Sequence, residues 1–157
     1  MYSDDWGVHS VGFRPGVVYG VGRDQGLTST TTAAILAAAS GKRYEVPFRG
    51  GVSWLYGGEA ASAFIHAVSR ERTGAPVFDM NGVYAPVEEG VRIMNALAGS
   101  DAITCSGEPL AFPMHLPDDP VRAHLGDYGT MPLADGIRVT YDAFKSLLQR
   151  GMLATPG

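Results

Sequence analysis

Arg14-Pro15-Gly16-Val17-Val18-Tyr19-Gly20-Val21-Gly22-Arg23 is the stretch on which the reading of this chain turns. Val17, Val18 and Tyr19 are strand formers, and Gly20 and Gly22 stop the run. Upstream, Val8, Val11 and Phe13 extend the β-rich segment, with Pro15 between its two parts, so strand is expected over Val8–Phe13 and again from Val17. Downstream, helix propensity rises through Thr30–Ala39, and Gly41 is a natural C-terminal stop.

Strands and helices go on alternating outward from there. Tyr44-Glu45-Val46-Pro47-Phe48 is strand-like, but its proline demotes it to a sheet edge. Glu59–Arg72 predicts a helix with Ala60, Phe64, Ala67 and Val68 on one face, Glu59 in its first turn, and Arg70 and Arg72 in its last. Pro76–Met80 reads as a short buried strand. Pro86 opens a helix whose Val87, Val91, Met94 and Leu97 share a face, with Gly99 ending it. Residues 100–131 read as loop, carrying Pro109, Pro113, Pro117 and Pro120. A last helix runs from Pro132 to Arg150 with an apolar stripe of Ile137, Tyr141, Phe144 and Leu148, and Gly151 caps it. The fold class is α/β.

Composition removes several functions. The 157 residues carry 16 acids against 12 bases, net charge −4, which leaves no broad basic patch for nucleic acid. The longest apolar run, Ala33–Ala39, is far short of the ~20 residues of a membrane span. The first residues, through Trp6, are acidic and polar, so no signal peptide and a cytoplasmic location are expected. Cys105 is the one cysteine, so no internal disulfide and no thiolate zinc site can form. His9, His66, His115 and His124 have no i, i+4 spacing; His115 and His124 lie near Asp118, Asp119 and Asp127, but no metal is expected.

Gly20-Val21-Gly22-Arg23-Asp24-Gln25-Gly26, with Glu45 further on, can be drawn as a dinucleotide fingerprint or as a wide loop that needs positive φ angles. Trp54-Leu55-Tyr56 beside Gly57-Gly58 is either a pocket floor or large aromatics packed against a close backbone.

The opening stretch, Arg14 to Arg23, resembles the R-P-x-x-V-Y-G-P-G-R segment of the extended short-chain dehydrogenase/reductases, the NAD-dependent epimerase/dehydratase family. Later segments agree with that family in order. Trp54-Leu55-Tyr56-Gly57-Gly58-Glu59-Ala60-Ala61 stands where the family has an aromatic–aliphatic stretch opening a helix. Pro76–Gly82 stands at its last sheet strand, and Thr130-Met131-Pro132-Leu133-Ala134-Asp135-Gly136 resembles the start of its final helix. The resemblance spans about residues 7–151.

What the resemblance implies is the C-terminal part of that fold: late Rossmann strands and helices plus the small substrate-binding lobe, with residues 1–157 as one partial domain and the N-terminal Rossmann half missing. The family's Tyr-x-x-x-Lys pair is expected upstream of Arg14; Tyr2 is not that tyrosine, because Trp6 stands four residues on. No catalytic residue is therefore assigned. By the resemblance, Pro15, Gly16 and Val17 border the nicotinamide of NAD or NADP through backbone. Tyr19, Arg23 and Thr28 line the substrate side, with Trp54 and Tyr56 opposite. Arg23 is the candidate for an anionic group, since a guanidinium holds carboxylate with paired hydrogen bonds. The family's diphosphate-binding Arg falls at Val52, which favours a smaller sugar or sugar-acid-like substrate. The chain is expected to be inactive alone, and to need a separately encoded N-terminal half or to self-associate. The alternative is a non-catalytic binding module derived from the same fold.

Overall fold

The structure is a computed structural model that describes residues 2–69, 71, 73–111 and 117–153. Helix α1 (Tyr2–Trp6) leads into β1 (Gly12–Pro15), β2 (Val17–Tyr19), α2 (Thr30–Ala39), β3 (Tyr44–Val46), β4 (Gly51–Tyr56) and α3 (Gly57–Val68). Then follow β5 (Val77–Met80), β6 (Val83–Pro86), α4 (Val87–Ala98), β7 (Ile103–Cys105), α5 (Asp119–Leu125) and α6 (Leu133–Gln149).

The strands form three small sheets. β1 and β5 pair in parallel, with Phe13 opposite Phe78 and Arg14 opposite Asp79. β2 pairs in parallel with β4, which pairs antiparallel with β6. β3 and β7 make a third parallel pair. Side chains alternate across a strand, and β4 uses both faces. Val52 and Trp54 point into a main core with Val17, Tyr19, Ile35, Met94, Ile137 and Phe144. Leu55 joins a smaller core with Ala60, Ala63, Met80, Val121, Leu125 and Tyr128.

Three helices, α2, α4 and α6, pack on one another and close the main core. The sequence of α2, TTTAAILAAA, is apolar nearly all round, as a helix hemmed in by two others and a strand requires. Two close approaches depend on glycine: a Cβ on Gly90 would stand 2.6 Å from the Trp54 ring, and one on Gly136 would collide with the Tyr19 hydroxyl.

Several expectations change. The first strand is Gly12–Pro15, with Val8 outside it. Gly12 and Gly16 donate their N–H groups to Pro76 and Met80 of the β5 side, so the intervening odd positions face away and Pro15 lacks a donor only on the open edge. Helix α3 starts at Gly57 and buries Glu59, Ala60 and Ala63, whereas Phe64 and Val68 are exposed, at 53% and 83%. Arg70 and Arg72, expected in its last turn, lie outside the described residues, as do Pro113 and His115. In the strand expected to be buried at Pro76–Met80, only Met80 is fully so, and Val77 is exposed. Pro86 caps α4 in extended conformation and is not its first helical residue. Strands β4, β6 and β7 and helix α5 were not expected. β7 and α5 lie in the segment read as loop, and β4 is masked by its serine, glycine and aromatic mixture, which has no clean period.

Candidate functional site

Arg14 and Asp79 are register partners near the carboxyl ends of β1 and β5, and their side chains meet as a two-point ion pair: Nε to Oδ1 at 2.8 Å and an NH2 donor to Oδ2 at 3.0 Å. One residue past β1 the chain crosses into the second sheet. Gly16 donates its N–H to the Met80 carbonyl at 2.9 Å. A Cβ there would stand 2.8–2.9 Å from three atoms of Ser53, including its backbone oxygen, so only glycine passes. Ser53 is fully buried, and its Oγ accepts the Gly82 N–H at 3.0 Å. The end of one parallel pair and the start of the next are thus locked together by backbone. In open α/β sheets, ligands sit outside the carboxyl ends of parallel strands where the chain changes direction. Pro15, Gly16 and Val17 stand at such a place, Pro15 exposed and Val17 buried, so the segment offers backbone and a proline ring.

Tyr19, Tyr56, Arg23 and Thr28 lie toward the opposite end of β2, which at ~3.3 Å per residue is about 10 Å long, whereas Trp54 is the register partner of Val17. Tyr19 is fully buried, its ring edge-on to Trp54 at 5.6 Å and tilted against Tyr56 at 5.9 Å. Burial drives its hydroxyl pKa far up, and the negative charge of Glu59 adds to that. Trp54 is 1% exposed, with Nε1–H donated to the Ala85 carbonyl at 3.3 Å. Both rings belong to the core, and neither has a surface to offer a ligand. Of the two readings of Trp54-Leu55-Tyr56, packing holds at Trp54, while the half-buried Tyr56 does wall a cleft.

Arg23 folds back on its own loop, donating to the Gln25 carbonyl and, at 3.4 Å, to Thr28 Oγ1. Gly20, Gly22 and Gly26 have φ of 135°, 92° and 93°, so this is a wide glycine turn wrapped round a guanidinium. The fingerprint reading fails on topology: Glu45 lies on β3, which pairs with β7, whereas the neighbour of β2 is β4. The structure therefore groups Pro15, Gly16 and Val17 at one end of β2, with the buried Trp54 opposite Val17, and sets the buried Tyr19 opposite Tyr56 at the other end, with Arg23 and Thr28 beyond it.

Sequence reasoning missed a second polar centre. Glu59, read as a first-turn helix acid, is 5% exposed and accepts the Met131 N–H on Oε2 at 3.3 Å. Burial raises its carboxyl pKa against the lowering pull of that hydrogen bond and of Arg122. Arg122 lies over the Tyr128 ring, 4.5 Å from its centroid, and bonds Asp118 Oδ2 at 2.9 Å. The signal that could have found it was Asp118-Asp119-Pro120 before an i, i+4 pair, Val121 and Leu125, which is a helix start.

One Tyr-x-x-x-Lys spacing does occur in the chain, Tyr141 to Lys145 on α6, but not upstream of Arg14 where the family's pair is expected. Tyr141 packs in the main core, with the Lys145 ammonium 5.5 Å above its ring, far along the chain from the place where the family carries its pair. Among the described residues no three His, Cys, Asp or Glu gather as metal ligands, and no helix is long and apolar enough to cross a membrane. The Cys105 thiol is pushed up by burial, away from thiolate chemistry.

No model of a known family matches the sequence, and no curated protein matches it. Solved structures do. UDP-N-acetylglucosamine 4-epimerase from Bacillus cereus matches with TM-score 0.74 at 18% identity, over 99% of this chain and 50% of its own. UDP-glucose 4-epimerase from Thermus thermophilus, solved with NAD, matches with TM-score 0.71 at 20% identity, over 92% and 49%. A partial-consensus L-threonine 3-dehydrogenase matches with TM-score 0.80 at 15% identity, over 92% and 51%. The chain thus spans about half the length of the structures it matches. Its fold is that of roughly half of a UDP-sugar 4-epimerase or a related NAD-dependent epimerase/dehydratase-type enzyme.

Proposed function

We propose that this chain is the C-terminal, substrate-binding portion of an NAD- or NADP-dependent epimerase/dehydratase or dehydrogenase that acts on a sugar or sugar-acid-like substrate. The observation that carries this reading is the crossover at Gly16. It sets Pro15–Val17 outside the carboxyl ends of a parallel pair, in a fold shared with half of enzymes whose solved forms include NAD complexes. Pro15, Gly16 and Val17 then wall the nicotinamide side. Arg23, Thr28 and Tyr56 reach the surface and serve as substrate contacts, while Tyr19 and Trp54 support them from beneath. The proton-transfer pair and the phosphate cradle come from the other half of the fold, joined or separate, and the open edge of β1 is the place for its neighbouring strand.

Calorimetry with NAD and NADP tests this. The 157-residue chain is expected to bind either no tighter than about millimolar, roughly −4.1 kcal/mol, and to turn over none. A micromolar dissociation constant overturns the reading, because it needs a complete cradle within these residues.

One observation favours the alternative, a non-catalytic binding module: α2, α4 and α6 of this chain close the main core by themselves. The coding sequence adjoining Met1 separates the two. Gly-x-x-Gly-x-x-Gly and Tyr-x-x-x-Lys encoded there mean an enzyme half, and their absence means a module.

A further inference from the structure

Every exposed residue of α3, namely Gly58, Ala61, Phe64, Ile65 and Val68, lacks both charge and a hydrogen-bonding side chain. Ile65 is 64% exposed and Val68 83%. The one charged residue of the helix, Glu59, is turned inward onto the Met131 N–H. The other long surface helices do the reverse: α4 shows Glu88, Glu89 and Arg92 to water, and α6 shows Asp135, Arg138 and Lys145. A surface helix is normally polar on its outer face, and one that is apolar all round belongs in an interior. The outer face of α3 is therefore built to be covered.

Spacing and size select what covers it. Gly58, Ala61, Ile65 and Val68 recur at intervals of three, four and three residues, the seam of a helix pair. This seam is small at its start and large at its end. A parallel copy sets large on large and small on small, with a crush at one end and a gap at the other. An antiparallel copy, on a two-fold axis level with Ala63, sets Gly58 against Val68 and Ala61 against Ile65, each pair twice over. Small opposite large is how facing helices interdigitate. The ends of the seam match as well. Val68 projects, whereas beside Gly58 and Ser62 the surface falls into an open cleft of about 240 Å³. The Tyr56 ring walls that cleft and fills the place where a Gly58 side chain would start, so the floor is apolar. Ser62, Phe64 and Ser69 flank the seam, so a copy meets no like charge there, and a charged partner meets no opposite one.

We propose that α3 is a self-docking surface, on which a second copy of this chain packs its own α3 antiparallel, with Val68 of each copy at the cleft beside Gly58 of the other. Area sets the strength of the pairing. At roughly 100 Å² for a large apolar side chain, Tyr56, Phe64, Ile65 and Val68 cover on the order of 400 Å² per copy. The total of ~800 Å² lies below the ~1,200–2,000 Å² of stable complexes, so the dimer is weak and reversible. It needs neither cofactor nor substrate and does not rest on the nucleotide-linked reading.

Sedimentation velocity of the intact chain, from about 1 μM to about 1 mM, tests this. The expected result is a reversible monomer–dimer equilibrium with no larger species, because a two-fold contact closes on itself. Ala61→Glu puts a charge in the middle of the seam at an exposed position. It is expected to weaken dimerisation at least about tenfold, since two like charges then meet, with the melting temperature of the dilute chain unchanged. Register is read by disulfide formation between an Ala61→Cys chain and an Ile65→Cys chain, both carrying Cys105→Ser, which keeps the proposal testable if Ala61→Glu folds poorly. An antiparallel seam gives mixed disulfide well above the half that random pairing gives. A monomer at every concentration overturns the proposal and leaves α3 to a different occupant, such as a cofactor-binding half. Open-ended assembly, an unchanged dimer in Ala61→Glu or random disulfides also overturn it, because the contact then lies elsewhere.

Discussion

The main core around Trp54 and the pair β1–β5 with its helix α3 are both made of short strands packed by helices but are finished differently. Around Trp54 three helices of the chain cover the sheet, and Val17, Ile35, Met94 and Ile137 are sealed. Beside β1 the chain leaves Phe64, Ile65, Val68 and Val77 exposed, between 53% and 83%, with an open strand edge next to them. A parallel pair is normally covered on both faces and flanked by further strands. The contrast teaches that closure is a local property: three helices seal the core on one face of β4, whereas beside β1 a group of apolar side chains stays exposed.

Four experiments break or sharpen that contrast. The largest effect is expected on the closed side. Trp54→Ala removes the ring that Gly90 accommodates and the bond to the Ala85 carbonyl, and is expected to cost about 3–5 kcal/mol in urea unfolding. A loss below about 1 kcal/mol, the level of a surface change, would mean that this core is loosely packed.

Next comes pH, acting at the junction of the two sides. Glu59 has its carboxyl pKa raised, chiefly by burial, so the folded state holds its proton more tightly than the unfolded state. Its contribution is fully present below the unfolded value, about 4.3, and is lost as pH rises through the folded one. Parent and Glu59→Gln melting curves, recorded from acid to neutral pH, are expected to diverge in the variant's favour as pH rises. Parallel curves would show a carboxylate fully compensated by Arg122.

A smaller effect is expected at Arg14–Asp79. The pair is two-pronged, but the Arg14 side chain is 67% exposed, so Arg14→Ala is expected to cost at most about 1 kcal/mol. Double-mutant analysis with Asp79→Ala measures the coupling, and a value well above that would mean that the crossover depends on it.

The smallest change in stability is expected on the open side, with the clearest change in state. Covering even ~400 Å² of apolar surface is worth about 10 kcal/mol at 25 cal/mol/Å², so the parent chain is expected to self-associate in light scattering. Ile65→Ser with Val68→Ser, at 64% and 83% exposure, is expected to yield a monomer whose own stability stays within about 0.5 kcal/mol of the parent. A sharp monomer for the parent, melting cooperatively above about 60 °C, would show the β1 side to be closed in solution and would favour the binding-module reading.

Local pattern carried most of the main-core side. The Val17–Tyr19 strand, the glycine loop, α2, α4 with its Gly99 stop at φ 64°, and the Ile137–Phe144 stripe are all set by neighbours within a few residues. The stop chemistry of glycine and a helical period act at that range. Pattern failed at α3, where Phe64 fits the apolar stripe but the helix rolls Ala60 and Ala63 inward against the smaller core. Small side chains let a helix sit close to a sheet, and only the partner surface decides that.

The sequence by itself determined the alternation of strand and helix, the glycine turn around Arg23, and the likeness of Arg14–Arg23 to an enzyme segment, because each is written in contiguous residues. Only the tertiary structure decided that Tyr19 and Trp54 are core rather than lining, and that β4 serves two cores. It also brought Glu59 beside an arginine 63 positions away (122 − 59). Burial depends on what arrives from distant parts of the chain, and a carboxylate becomes chemically distinctive only when water has been taken from it.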